Sequence, residues 1–281
     1  MNNLQLHLDK GFRPSAGQEI LFDQLQFSGG EPHIKIHPDF DRHIPVTVTH
    51  RINSFNDLGL LCLAVDALKR MKATIHELII PYFPAARQDR VMIPGEPLSV
   101  KVYADIVNQL GFQKVTILDA HSDVTPALVE NCEAISNHAF IKEVLKQVAV
   151  ESLVSPDGGA LKKIYKLSEY LGGMEVIECS KSRDVKNGRL TGFRVYADDL
   201  AGKDLLVVDD ICDGGATFTG LARELKKKNA GKLYLAVTHG IFSKGLEELG
   251  KDFERIFTTD SIREISHPSL TQIKLNHGLL S

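Results

Sequence analysis

The sequence predicts an α/β protein with two domains, each built on a mostly parallel sheet flanked by helices. Short apolar runs alternate with amphipathic stretches along most of the chain. Apolar strands separated by helices are typical of βαβ units and hence of parallel sheets. The same alternation occurs on both sides of Asn137. We therefore expect one domain over residues 1–137 and a second over residues 138–281.

Eight segments have the length and apolar composition of buried strands. They are residues 44–49, 77–81, 114–118, 153–155, 174–177, 204–208, 233–238 and 255–258. Five intervening segments carry apolar residues at helical spacing, which predicts helices. They are residues 56–72, 99–110, 138–147, 160–170 and 218–229.

The composition argues against several classes of function. A formal net charge of −3 offers no broad attraction for nucleic acid or an anionic membrane, and 7% aromatic residues without Trp provide no base-stacking surface. The four cysteines lack the spacing of a zinc site or a disulfide framework. The chain has neither a signal peptide nor an apolar run that could span a bilayer. We expect a cytoplasmic protein that holds anionic ligands with locally placed Lys and Arg.

The sharpest local signal is a turn between a buried strand and a helix in the second half. Its polar and small residues are Asp209, Asp210, Asp213, Gly214, Gly215, Ala216 and Thr217. The glycines let backbone N–H groups surround an anion at the positive end of the helix dipole, and Thr217 adds a hydroxyl. The adjacent acids suit the vicinal hydroxyls of a ribose, directly or through magnesium. A plain Asp-capped turn and another kind of nucleotide-binding turn are the alternatives.

This turn resembles the loop that binds ribose 5-phosphate and PRPP in the type I phosphoribosyltransferase superfamily. The resemblance implies a phosphoribosyltransferase-like fold for both domains. It also implies that the two acids hold ribose hydroxyls while the loop surrounds the 5-phosphate. Gly214 stands where Thr is usual, and Ala216 stands where Gly is usual. The first difference removes a hydroxyl donor, and the second adds a methyl group near the phosphate.

Three segments of the first half narrow the resemblance. They are PYFPAARQDR at 81–90, GEPLSVK at 95–101 and LDAHS at 118–122. With further matches from Phe27 onward, the chain is similar to the ribose-phosphate pyrophosphokinase (PRPP synthetase) family. The resemblance implies Mg²⁺-dependent transfer of the β,γ-diphosphate of ATP to the 1-hydroxyl of ribose 5-phosphate, giving PRPP and AMP. It also implies a homodimer or a higher homo-oligomer.

The resemblance assigns residues to ATP and to the metal. The implied ATP-binding residues are Phe27, Glu31, Arg87, Gln88, Asp89, Arg90 and His121. Arginines at such positions can fork onto phosphate oxygens, although a solvated charged turn is the commoner fate of a run such as RQDR. His121 and Asp157 are the implied Mg²⁺ ligands.

The remaining assignments concern transfer and the sugar phosphate. Lys181 and Arg183 match a Lys-x-Arg pair on a family loop that closes over ATP, and with His121 they are the implied catalytic residues. The implied ribose-phosphate site comprises Asp157, Asp209, Asp210, Asp213, Gly214, Gly215, Ala216 and Thr217. No nucleophilic side chain is required, because the acceptor hydroxyl attacks the β-phosphorus.

Two departures from the family bear on recognition and control. The segment FSGGE at 27–31 has Gly29 where the family has Asp, in a region that reaches the adenine bound by a neighbouring subunit. Its glycines also fit a plain hairpin turn. The chain ends at Ser281, short of a helical tail that contributes to the family's inhibitory nucleotide site. We therefore expect that form of allosteric control to be absent.

Two alternatives to PRPP synthesis stay open. ADP-ribose carries a 5-phosphorylated ribose with a free 1-hydroxyl, and compact phage-type relatives convert it to ADP-ribose pyrophosphate, a step in NAD metabolism. Gly214 and Ala216 would suit such a substituted phosphate. The second alternative is a catalytically silent homologue that senses nucleotides. Retention of Lys181, Arg183, His121 and Asp157 together argues against it.

Overall fold

The chain folds into two compact units. The computed structural model describes residues 3–183 and 190–280, and only the backbone of residues 182, 183, 190 and 191. The first unit comprises Met1–Ser136, Ser261–Arg263 and Lys274–Ser281, and the second comprises Asn137–Asp260 and Glu264–Ile273. None of the helices in the described part of the chain has the length and apolar character that crossing a membrane requires.

The first unit contains a parallel sheet and a separate hairpin. Its strands are β1 (Leu4–His7), β2 (Phe22–Gln26), β3 (Pro32–Ile36), β4 (Val46–Thr49), β5 (Ile75–Ile79), β6 (Lys114–Leu118) and β7 (Cys132–Ile135). Its helices are α1 (Phe55–Arg70), α2 (Ser99–Gln109) and α3 (Val124–Leu128), and a short 3₁₀ turn follows at His277–Leu279. The sheet order is β1-β4-β5-β6-β7 with every pair parallel, whereas β2 and β3 pair antiparallel.

Helix α1 shows how the sequence pattern becomes structure in this unit. Its N-cap Ser54 accepts a hydrogen bond from the Asp57 backbone N–H, and the Asp57 carboxylate accepts one from the Ser54 hydroxyl. Leu58, Leu61 and Val65 recur at helical spacing and are buried in the first core. The cap and the apolar stripe together account for the position of the helix.

The second unit is built on a larger sheet. Its strands are β8 (Ser152–Ser155), β9 (Glu175–Arg183), β10 (Leu190–Val195), β11 (Leu205–Cys212), β12 (Leu233–Gly240), β13 (Arg255–Thr259) and β14 (Leu270–Ile273). Its helices are α4 (His138–Leu145), α5 (Leu161–Tyr170), α6 (Ala216–Lys227) and α7 (Leu249–Asp252). The order is β10-β9-β8-β11-β12-β13-β14, parallel except between β9 and β10. The predicted α/β class with mostly parallel sheets is confirmed.

Strand β11 corrects one detail of the prediction. The sequence predicts that the strand ends at residue 208, but pairing with β12 continues through Cys212, which lies opposite Gly240. Asp209 and Asp210 therefore lie within the strand, just before the turn. The added ladder hydrogen bonds hold both acids on a rigid backbone at the carboxyl end of the sheet.

Candidate active site

The turn between β11 and α6 forms an open cradle of backbone donors. Gly215 adopts a left-handed conformation with φ +77° and caps α6 without a side-chain hydrogen bond. Within the described residues, the N–H groups of Gly214, Gly215, Ala216 and Thr217 have no hydrogen-bond acceptor. Consecutive free N–H groups at a helix N-terminus attract an anion, and phosphate is the usual one. The predicted glycine turn is thus present with its donors free.

The acid pair stands immediately before this cradle. The Asp210 backbone N–H donates to Asp209 Oδ1 at 2.9 Å, and Asp210 is 8% exposed. Burial and the neighbouring charges of Asp210 and Asp157 raise the pKa of Asp209 well above its ordinary value. Lys163 on α5 places its Nζ 3.8 Å from Asp210 Oδ2. A positive group, or hydroxyls that share a proton with the acids, would relieve this crowding of negative charge.

Asp157 follows β8 and is held from two sides. Its Oδ1 accepts the N–H groups of Gly159 at 2.8 Å and Ala160 at 3.1 Å, and its Oδ2 forms an ion pair with Lys181 Nζ. Burial acts to raise the pKa of Asp157, but the Lys181 ammonium and the two N–H groups bring the pKa below its ordinary value. Lys181 lies on β9, the parallel neighbour of β8, so the predicted transfer lysine and the predicted metal–ribose carboxylate are in contact.

In the first unit, Asp89 connects several of the predicted ATP-binding groups. Its carboxylate is 8% exposed and accepts a hydrogen bond from Arg90 Nε at 3.3 Å. Burial acts to raise the pKa of Asp89, but the Ser122 hydroxyl, Arg90 and His121 together lower the pKa below its ordinary value. Asp89 therefore sits as an anion beside these three groups. Arg90 keeps most of its side chain exposed and available to a ligand.

Phe27 and Glu31 flank the turn of the β2–β3 hairpin. The Phe27 N–H donates to the Glu31 carbonyl at 2.9 Å, which closes the turn around Gly29 and Gly30. The Phe27 ring is 54% exposed and lies 5.5 Å from the His33 ring. The segment forms a hairpin that presents an aromatic ring at its tip, and the adenine role of Phe27 and Glu31 stays a prediction.

The structure brings together parts of each predicted residue set. In the second unit, Asp157 contacts Lys181, and its charge also acts on the acid pair. In the first unit, Asp89 accepts a hydrogen bond from Arg90 and interacts electrostatically with His121, while Arg87 and Gln88 are exposed in the same turn. The side chain of Arg183 lies outside the described residues. The roles assigned to all these residues stay predictions.

Sequence reasoning did not select two residues that belong to these sets. Ser122 hydrogen-bonds Asp89, and Lys163 pairs with Asp210. Ser122 closes the matched segment at 118–122, and Lys163 occupies a position where the family often has Arg. These two similarities to the family could have drawn attention to Ser122 and Lys163, but neither indicated which carboxylate each side chain contacts.

Comparison with known proteins identifies the family. Residues 22–111 match the model of the N-terminal domain of ribose phosphate pyrophosphokinase. The ribose-phosphate pyrophosphokinase of Thermococcus kodakarensis is 31% identical over 257 residues, 88% of each chain. The chain belongs to the ribose-phosphate pyrophosphokinase family. The enzyme of that name from Fusobacterium nucleatum is 29% identical over 97% of this chain and 88% of its own.

A solved structure agrees with this membership at the level of the fold. The phosphoribosylpyrophosphate synthetase of Mycobacterium smegmatis superposes with a TM-score of 0.81, covering 98% of this chain and 95% of its own, at 22% identity. The architecture is therefore that of the ribose-phosphate pyrophosphokinase family. At this identity the likeness concerns the fold alone.

The residues present fit the magnesium that this family implies. Mg²⁺ prefers oxygen ligands and is commonly held by one or two carboxylates together with substrate phosphates. Asp157 offers a carboxylate beside the acid pair, whereas no group of three or more His, Cys, Asp or Glu suited to a metal occurs within residues 3–183 and 190–280. This donor set suits an ion that arrives with ATP rather than one enclosed by the protein.

Proposed function

We propose that this protein transfers the β,γ-diphosphate of ATP to the 1-hydroxyl of ribose 5-phosphate, giving PRPP and AMP. One observation carries the proposal: the free N–H groups of residues 214–217 lie at the carboxyl end of the strand that carries the acid pair Asp209 and Asp210, in a ribose-phosphate pyrophosphokinase homologue. The N–H groups suit a phosphate, and the acids suit vicinal hydroxyls. A 5-phosphorylated ribose presents both in one small molecule.

The acceptor binds through this cradle. Gly214, Gly215, Ala216 and Thr217 donate to the 5-phosphate, and the Asp209 and Asp210 carboxylates accept from the ribose hydroxyls. Asp213 supports the turn through its carboxylate, which accepts a hydrogen bond from the Ser243 hydroxyl at 2.6 Å. The acceptor hydroxyls would also separate the crowded acids from one another, which lowers the cost of their burial.

ATP binds through the predicted set in the first unit. Arg87 and Arg90 contact phosphate oxygens, and Asp89 orients Arg90 and His121 for this purpose. Gln88 donates from the same turn. Phe27 and Glu31 recognise the adenine bound by a neighbouring subunit, as their positions in the family imply.

Transfer forms one bond and breaks another. The 1-hydroxyl oxygen attacks the β-phosphorus and loses its proton, and the bond from the β-phosphorus to the oxygen bridging the α-phosphate breaks, releasing AMP. Lys181 and Arg183 stabilise the charge that develops on the transferring diphosphate. Bound Mg²⁺ supplies charge neutralisation on the phosphates. Asp157, which holds Lys181 in this structure, provides the carboxylate for the metal–ribose contact.

ADP-ribose is the second candidate acceptor. Gly214 and Ala216 give the cradle no side chain larger than a methyl group at these two positions, and Ala216 is exposed. A substituted 5-phosphate therefore meets little bulk from the side chains of these two residues. The transfer chemistry would be the same, with ADP-ribose pyrophosphate as the product.

The test is a two-acceptor assay with purified protein, ATP and Mg²⁺. AMP release and product mass are measured with ribose 5-phosphate and with ADP-ribose in separate reactions. AMP together with PRPP supports the proposal, and AMP with ADP-ribose alone selects the second acceptor. ADP in place of AMP would reject diphosphate transfer in favour of an ordinary kinase or ATPase. No turnover with either acceptor would favour a nucleotide-sensing homologue.

Variants of the transfer residues provide a first prediction. Lys181→Ala and Arg183→Ala should each lower kcat about 100-fold or more, because each removes charge stabilisation from the transition state. Lys203→Ala is the matched control, since Lys203 in the same unit pairs with Glu175 at 2.7 Å near the surface. Near-normal values of kcat in both transfer variants would contradict the proposed role of Lys181 and Arg183 in stabilising the transferring diphosphate.

A further inference from the structure

Lys244 lies against the phosphate cradle although no sequence motif selects it. A Cβ atom added to Gly214 would lie 3.5–3.7 Å from the Cγ, Cδ and Cε atoms of Lys244. The aliphatic stem of Lys244 therefore passes over the cradle at the position where the family usually has a Thr side chain. The cation at the end of this stem is the feature from which we infer a further role.

The segment that carries Lys244 is tied to the cradle by its backbone. The Ser243 N–H donates to the Asp213 carbonyl at 3.1 Å, and the Ser243 hydroxyl donates to Asp213 Oδ1 at 2.6 Å. The N–H groups of Ile241 and Phe242 both donate to the Cys212 carbonyl, at 2.9 and 3.1 Å. The stem of Lys244 therefore starts from a fixed point beside the turn.

Phe242 adds evidence that this position is maintained. Its φ of +47° lies in the left-handed region, which is unfavourable for a bulky residue, and Phe242 is only 3% exposed. Burial of the ring holds the strained backbone two residues before Lys244. A segment held in this way presents its next side chains in a reproducible direction.

Lys244 has no ion-pair partner in the described part of the chain. Lys244 is exposed and forms no ion pair there, whereas the nearby Glu248 pairs with Lys251 at 2.5 Å. An exposed lysine whose stem lies over four free N–H groups adds to the positive potential at the cradle. The 5-phosphate within the turn already meets N–H donors and the Thr217 hydroxyl.

We propose that Lys244 binds a second phosphate attached to the acceptor's 5-phosphate, so that this site accepts a ribose 5-diphosphate ester as well as ribose 5-phosphate. The inference rests on the proposed function of the cradle and concerns the second candidate acceptor, ADP-ribose. The stem crosses Gly214, where a side chain is missing, and the ammonium reaches a phosphate that lies outside the turn. Lys244 is thus a specificity-determining residue for the acceptor.

Equilibrium binding without ATP tests the inference. Isothermal titration calorimetry compares ribose 5-phosphate with ADP-ribose on wild type, Lys244→Met, Lys244→Arg and the control Lys251→Met. Lys244→Met should raise the Kd of ADP-ribose about tenfold, the effect of losing one charge-assisted contact. The Kd of ribose 5-phosphate should change less than about twofold. The arginine variant should retain ADP-ribose affinity, and Lys251→Met should leave both affinities unchanged.

Several results would overturn the inference. The first is that Lys244→Met weakens the binding of both acceptors equally, or of neither. The second is that wild type does not bind ADP-ribose. The third is that Lys244→Met weakens the binding of the ATP analogue α,β-methylene-ATP as much as that of ADP-ribose. Thermal unfolding verifies that the variants are folded. Failure of the proposed function has a different signature: both acceptors bind, but the two-acceptor assay releases no AMP. The binding comparison still reports on Lys244 in that case.

Discussion

At the scale of single residues, two carboxylates of the candidate site in the second unit each lie close to a lysine. Asp157 pairs with Lys181, and Asp210 lies 3.8 Å from Lys163, while Asp209 stands between like charges. Each lysine therefore occupies a position where a metal ion, alone or bound to a substrate phosphate, would otherwise balance the charge of the carboxylates. Binding at this site must exchange these partners, so a change in one residue should alter both stability and ligand affinity.

Lys181 should compete with metal for Asp157. Replacing Lys181 with Met removes the ammonium and leaves the Asp157 carboxylate unpaired beside the acid pair. Binding of Mn²⁺ without substrates, measured by electron paramagnetic resonance, should strengthen roughly tenfold, because the cation no longer displaces a bound charge. Lys203→Met, which unpairs Glu175, should leave Mn²⁺ affinity unchanged. Equal or weaker Mn²⁺ binding in Lys181→Met would show that the two charges do not compete.

The ionised Asp209 carboxylate should lower the stability of the ligand-free protein at neutral pH. Its pKa is raised in the folded state, so the native protein holds this proton more tightly than the unfolded chain. The contribution of Asp209 to stability is then greatest at about pH 4 and below, and it is lost as the pH rises through the folded pKa. Asp209→Asn keeps an oxygen for the Asp210 N–H but removes the charge. We expect the variant to be more stable by about 1 kcal/mol at pH 8 and equal to wild type near pH 4.

Urea unfolding at pH 4.5, 6 and 8 measures this difference, and the exposed Asp198→Asn serves as the control. The same Asp209→Asn protein should bind ribose 5-phosphate more weakly, because the carboxylate is assigned to a ribose hydroxyl. A variant that is less stable than wild type at pH 8 would contradict the raised pKa. Unchanged sugar-phosphate affinity would contradict the ribose assignment.

At the scale of elements, the cradle depends on how β11 meets α6. The strand stays paired with β12 through Cys212, and the chain then reverses through Gly215 into the helix. Leu249, at the start of α7, packs so closely that a Cβ on Gly215 would lie 3.1–3.2 Å from its side-chain carbons. The turn therefore requires glycine for two reasons, the left-handed backbone and the close approach of Leu249.

A pair of glycine substitutions separates these two reasons. Gly202 also has positive φ, +75°, but a Cβ there would meet nothing within 4 Å. Gly202→Ala should cost about 1 kcal/mol from backbone strain alone, whereas Gly215→Ala should cost about 2 kcal/mol or more. Chemical denaturation measures both values, and calorimetry should show weaker ribose 5-phosphate binding only in Gly215→Ala. Equal costs would mean that Leu249 moves aside freely.

At the scale of the whole molecule, the chain completes the first unit from both ends. Residues 261–263 and 274–281 return to it, and Asn53 Nδ2 donates to the Ile262 carbonyl at 3.0 Å. Leu275, Leu279 and Leu280 are buried, with at most 8% of their surface exposed. A simple cut near residue 137 would therefore remove part of the first unit. The ATP-binding and ribose-phosphate roles of the two halves stay predictions.

Leu279→Ala should destabilise the first unit in particular. The lost burial and the cavity left behind should cost about 2 kcal/mol, at the low end for Leu→Ala because Leu279 lies in a short terminal turn. Hydrogen exchange should accelerate in residues 3–136 more than in residues 137–260. The exposed His277→Ala is the control. Uniform acceleration across both units would show that they unfold as one.

The elements that the sequence predicted share a strong local signal. Strands such as 114–118 and 233–238 are apolar because both faces of a parallel sheet are covered, and helix α1 combines a cap with an apolar stripe. Strands β1 and β7 were missed for opposite reasons. In β1, buried Gln5 and His7 are satisfied by hydrogen bonds to Ser15 and Thr49, so its sequence is not an apolar run. Strand β7 lies at a sheet edge and is only partly buried.

The sequence by itself determined the fold class, the family and the segments that contain the candidate site, because strand periodicity, glycine turns and matched motifs are local properties. Only the tertiary structure decided which charges meet: Lys181 with Asp157, Ser122 with Asp89, and Lys244 with the cradle at Gly214. Parallel strands bring distant loops to one edge of a sheet. Which side chains then touch depends on register, burial and packing, and these arise only when the sheet has formed.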